Sequence, residues 1–121
     1  MKEGNIVRDK SYAFAIRIVK LSKYLIEEKK EYIYSKQIGR SGSSIGANVE
    51  EALGGQTDRE FYSKLTISYK EARETHFWIR LLRDTDYIET KLAESLLTDC
   101  DELLRLLGSI TKTLREKLER S

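Results

Sequence analysis

No proline interrupts the 121 residues of this chain. Proline is the residue that most reliably ends a helix, because it removes a backbone N–H and its ring collides with the carbonyl four residues back. Its absence favours long continuous helices over turn-rich β structure. The apolar residues repeat accordingly. Phe14, Ile18, Leu21 and Leu25 form one stripe of an α-helix expected over about residues 9–29. After a polar break from Glu27 to Glu31, Tyr34, Ile38, Ser41, Ile45, Asn48 and Ala52 carry the period through a second helix over 33–53. Gly54 and Gly55 are expected to end it in a left-handed cap. Thr57-Asp58-Arg59-Glu60 has the form of a capping box and opens a third helix over 58–83, with Phe61, Leu65, Ser68, Ala72, Thr75, Ile79 and Leu82 on one face. Asp84-Thr85-Asp86 disfavours continuation. Thr90 is the expected N-cap of a fourth helix over 90–118, which keeps Ala93, Leu96, Cys100, Leu103, Leu107, Ile110 and Leu114 in register. Four helices with short connections predict an all-α fold in a single domain, 1–121: an antiparallel up-down four-helix bundle.

The glycines between Gly39 and Gly55 pose a separate question. A phosphate loop of the Walker type requires a preceding strand and a lysine after its last glycine, and neither is present. The dinucleotide fingerprint fails as well, since Gly39, Gly42 and Gly46 are spaced 3 and 4 apart. That spacing puts all three on one helical face, where a missing side chain lets a neighbouring helix come close. Each internal glycine costs about 0.5–1 kcal/mol relative to alanine, so three together require a packing reason. Gly39, Gly42 and Gly46 are therefore read as a close-packing seam.

Charge and cysteine content narrow the function classes. Lysine and arginine number 22 against 20 aspartates and glutamates, a net charge of +2, which is a small excess for a dedicated nucleic-acid binder. The chain has no run of about 18 uncharged apolar residues for a membrane span, and its polar beginning lacks a secretory pattern. A cytoplasmic location is expected. Cys100 is the single cysteine, so one chain forms neither a disulfide nor a cysteine zinc site. It lies between Asp99 and Asp101, whose charges oppose thiolate formation, and in the apolar register of the fourth helix; it is read as a core residue. A di-iron bundle site would need Glu-x-x-His on two helices, yet the only histidine, His76, follows Arg73 by three residues. No catalytic residue, cofactor or metal is expected.

Surface-facing candidates fall into three sets. Phe77, Trp78 and Leu81 make the third helix apolar on nearly every side, more than one core requires, and are read as an interface with another copy of the chain. Asn48, Glu51 and Glu74 are expected to form a polar network between helices, since buried polar groups can fix register and partner choice. Tyrosines interleave with lysines in a composition suited to stacking bases and contacting phosphates, which marks Lys64, Lys70 and Arg73 as candidate nucleic-acid contacts. Tyr62 and Tyr69, seven apart, flank the core stripe and also read as packing residues.

The stretch "SSIGANVEEALGG" followed by "DREFYSKLTISYKEA" resembles the 23S rRNA intervening-sequence proteins, a bacterial family whose pattern reads roughly Ser-Ile-Pro-Ala-Asn-Ile-x-Glu-Gly, a short basic turn, then Glu-Phe and a long helix. The matching positions are Ser44, Ile45, Ala47, Asn48, Val49 and Glu51, then Glu60, Phe61, Leu65, Glu74, Tyr87 and Ile88. The chain departs at Gly46, where the family often has proline, at Ala52, where it often has glycine, and at Gly55-Gln56, where basic residues are usual. The resemblance spans about Lys10 to Leu118 and extends distantly to the accessory variability protein of diversity-generating retroelements. It implies a four-helix bundle, a ring-like homo-oligomer of five chains, and no enzymatic activity. The function expected is a self-assembling assembly or adaptor module, with an RNA- or DNA-binding accessory protein as the alternative.

Overall fold

The computed structural model describes residues 2–120. Among them are four helices and no strands: α1 (Lys2–Lys29), α2 (Tyr34–Leu53), α3 (Asp58–Asp84) and α4 (Thr90–Glu119). Each helix packs on the next in sequence, and α4 returns to α1, which closes a four-helix bundle around one core. The predicted stripes fill that core. Phe14, Ile18 and Leu25 of α1, Ile38 and Ile45 of α2, Leu65, Ile79 and Leu82 of α3, and Leu96, Leu103 and Leu107 of α4 are all essentially inaccessible to water.

Helix α1 starts seven residues before the expected position 9. Val7 and Ser11 continue the stripe of Phe14 toward the N-terminus and are buried, so the additional two turns are held by packing on the bundle. Helix α2 depends on Glu31, which lies in the polar break. Its carboxylate accepts from the N–H groups of Ile33 (2.8 Å), Tyr34 (2.9 Å) and Ser35 (2.7 Å), while Ser35 Oγ donates to the Glu31 carbonyl at 2.8 Å. Burial pushes the Glu31 carboxyl up, but the three backbone donors outweigh it and hold the group below its ordinary range.

Two expected caps differ. Gly54 has φ −87° and no glycine has positive φ among the described residues, so the left-handed ending of α2 does not occur. Gly54 N–H and Gly55 N–H instead donate to Glu50 O (3.2 Å) and Ala52 O (3.0 Å). Gly55 is small for a different reason: a Cβ there would stand 3.1 Å from Ala52 O and 3.3 Å from Glu60 Cβ. Thr90 is the first residue of α4, and its N-cap is Glu89, one residue earlier.

The Thr57 cap of α3 forms as expected, with Thr57 Oγ1 accepting from Glu60 N–H at 3.1 Å. The Glu60 carboxylate reaches past the capping residue and accepts from Gln56 N–H at 2.7 Å. At the far end, Asp86 takes φ 64°, Asp86 N–H donates to Arg83 O (3.1 Å) and Tyr87 N–H to Leu82 O (2.9 Å), the paired bonds of a Schellman ending.

Candidate functional site

The surfaces of the bundle follow from how closely its helices approach. α1 and α2 meet along the glycine seam. A Cβ on Gly42 would lie 2.5 Å from Ile18 Cγ2 and 2.9 Å from Ile18 Cβ; one on Gly46 would lie 3.3 Å from Ser11 O, and one on Gly39 3.2 Å from Ser22 Oγ. Small polar residues serve the same end between α2 and α3. Ser68 Oγ donates to Ile45 O at 2.8 Å, and the Ser41 and Thr75 hydroxyls are 2.8 Å apart. Among the described residues no buried side-chain polar atom is left unpartnered.

Asn48, Glu51 and Glu74 are not joined into one network. Asn48 Nδ2 donates to Ser44 O, 2.8 Å away on its own helix. Glu51 pairs with Lys64 at 3.1 Å. Glu74 pairs with Arg40 and accepts from Trp78 Nε1 at 3.1 Å, while Arg40 also holds Glu71 at 2.9 Å. The sequence placed Asn48 in the apolar register of α2, but at that position it is half-buried and satisfied locally. Arg40, absent from the sequence-based set, reaches from α2 to two carboxylates of α3.

Phe77, Trp78 and Leu81 divide by exposure. Phe77 is 46% exposed, whereas Trp78 and Leu81 are half-buried. The Trp78 ring lies 5.8 Å from Tyr34 and 5.0 Å from Phe77, centroid to centroid, an aromatic cluster that ends in the open Phe77 ring.

A second apolar surface went unread in the sequence. Tyr12 (67% exposed), Ile16, Val19 and Ile26 line the outer side of α1 at helical spacing. Their signal was present, since 12, 16, 19 and 26 fall in a stripe of their own on the side of α1 opposite Phe14 and Ile18. Tyr12 also borders a shallow hollow with Ala15, Ser43, Gly46, Ala47 and Glu50, where the small residues of the seam flatten the surface.

The candidate cations separate too. Lys64 is engaged by Glu51 on the α2 side, Lys70 is exposed, and Arg73 opens on the α4 side of α3. Cys100 is fully buried, with Sγ 3.3 Å from Ala72 O; burial, then Asp101 and Asp99, push its thiol up to about 12. His76 Nε2 lies 3.1 Å from Asp101 and its Nδ1 accepts from Arg80 Nε at 3.1 Å. No three His, Cys, Asp or Glu side chains converge as a metal-ligand group among the described residues, and none of their helices is long and apolar enough to cross a membrane.

Fold and surfaces together define a small four-helix-bundle protein whose helix faces carry more apolar area than one core uses. The family model of the 23S rRNA-intervening sequence protein matches residues 3–109. The chain belongs to that family. A crystal structure of a protein of unknown function from the S23 ribosomal protein family of Bacteroides thetaiotaomicron is 50% identical, covers 91% of this chain and 98% of its own, and superposes with a TM-score of 0.89. No curated protein matches the chain.

Proposed function

We propose that this chain is a non-enzymatic, self-assembling module of the bacterial cytoplasm: an up-down bundle whose copies close into a ring, five to the ring as the family resemblance implies. The carrying observation is the exposed apolar stripe of Tyr12, Ile16, Val19 and Ile26 on α1. Connections of a few residues between successive helices support the up-down order.

A closed ring other than a dimer uses two different surfaces per chain, one meeting the other on the next copy. The α1 stripe is one such surface. The cluster ending in Phe77 on α3 is the second. Burying apolar side chains of this size contributes roughly 25 cal/mol per Å² removed from water, so an uncovered stripe is a standing drive to associate.

Sedimentation velocity on an Ile16→Glu, Val19→Glu variant and on a Phe77→Glu variant tests the reading. Each should lower the assembled mass while far-UV circular dichroism keeps its helical signal. An assembly unmoved by either variant would overturn this assignment of surfaces.

A further inference from the structure

The net charge of +2 does not show which cations are paired. Carboxylates are engaged on three sides of the bundle, Lys117 of α4 holding Asp58 of α3 at 2.8 Å. Between α2 and α3, Arg40 holds Glu71 and Glu74, and Lys64 holds Glu51; between α1 and α4, Arg17 holds Asp99 at 2.7 Å and Lys10 holds Glu102 at 3.0 Å. The groove between α3 and α4 also carries cations outside these pairs. Arg73 and Arg80 stand on its α3 wall, Lys112 and Arg115 on its α4 wall, all exposed, and among the described residues none of the four closes an ion pair with a carboxylate. At the rim, Asp101 is engaged by His76.

The groove is continuous. Two adjoining hollows of about 250 and 350 Å³ share Tyr69, and the α3 wall runs from Tyr62 to Arg80 along one helical face, a length of about 27 Å at 1.5 Å per residue. Tyr62 and Tyr69 rest partly on the core and line the groove. Gly108 leaves the α4 wall without a side chain where the Tyr69 ring approaches: a Cβ there would stand 3.5 Å from Tyr69 Cε2. Cations on both walls with tyrosines between them match the chemistry of a phosphate backbone carrying bases. A concave slot between two helices suits one strand, whereas a duplex, itself a thick rod, is gripped by elements that project into its grooves.

We propose that the α3–α4 groove binds an extended single strand of nucleic acid, with Arg73, Arg80, Lys112 and Arg115 on its phosphates and Tyr62 and Tyr69 against its bases. The groove lies within one chain; its Arg80 guanidinium stands 5.9 Å from the centroid of the Phe77 ring, so groove and α3 assembly surface adjoin, and the variants that test the groove lie away from that end. A ring would repeat it and raise avidity without a new contact.

The test is fluorescence anisotropy of the full chain with labelled oligouridylate, a duplex of equal length and polyglutamate, at low and near-physiological salt. Oligouridylate should bind more tightly than either competitor. Arg73→Gln with Lys112→Gln should make the slope of log affinity against log salt shallower by about 1.4, two phosphate contacts at roughly 0.7 each for a single strand. Tyr69→Ala should weaken binding at least about fivefold, and Tyr69→Phe, which keeps the ring in its packing, should retain it. Lys64→Gln, across the helix beside Glu51, should leave affinity unchanged. Equal binding of duplex or polyglutamate, or an Arg73, Lys112 double variant with unchanged affinity and salt slope, would overturn the proposal.

Discussion

Glu31 shows how much one side chain can decide. It occupies a stretch that reads as a polar break, yet its carboxylate satisfies three backbone N–H groups that the start of α2 would otherwise leave without partners. Glu31→Gln should lose about 1–2 kcal/mol at neutral pH, the usual scale of a strong N-cap. Its carboxyl is held below the ordinary value of 4.5 in the folded state, so the stabilisation is complete above that value and is lost as pH falls through the lower folded one. Thermal melts of the wild type should therefore exceed those of Glu31→Gln at neutral pH and lose that lead as pH falls below the ordinary carboxyl value, the two converging in stronger acid; a difference constant from pH 7 to pH 2 would contradict this. Cys100 gives a second residue-scale prediction. A buried thiol with its pKa near 12 should resist iodoacetamide at pH 8 until denaturant is added, and alkylation of the native protein at the rate of a free thiol would show that α4 is not packed as described.

At the scale of elements, the three glycines of α2 predict a graded response. Gly42→Ala forces Ile18 to move from its own Cβ outward and should cost about 1–3 kcal/mol, the range for overpacking. Gly39→Ala meets, at 3.2 Å, the Ser22 hydroxyl that donates to Ser35 O at 3.0 Å, so a shift of a few tenths of an ångström suffices, alanine's better helix propensity largely offsets it and stability should stay within about 1 kcal/mol of wild type. Denaturant midpoints of the two variants in the reverse order would refute the seam. Much of this was legible beforehand, because period and glycine spacing report a helix face directly: the four stripes, the Thr57 cap and the 39, 42, 46 alignment all follow from it. The start of α1 was not legible, since Val7 and Ser11 carry too little apolar signal without the bundle they pack on. Nor was the Gly54–Gly55 ending, where sequence cannot distinguish a glycine needed for its φ from one needed for close approach. The charge pairs were hidden for the same reason. Which carboxylate meets Arg40, Lys64 or Arg17 depends on how helices are juxtaposed, and only that arrangement shows Arg73 open and Lys64 engaged.

The whole molecule combines an ordinary core with an unusual exterior. One side of α1 and the Phe77 end of an aromatic cluster present apolar surface to water, while among the described residues every buried side-chain nitrogen and oxygen has a hydrogen-bond partner. On the proposed function, a second copy covers these stripes. The most direct measurement is the mass of the unmodified protein by light scattering coupled to size exclusion, repeated over a wide dilution series. An integer multiple of the 14.1 kDa chain, near five, that persists on dilution is the expected result. A mass of one chain at every concentration would contradict it.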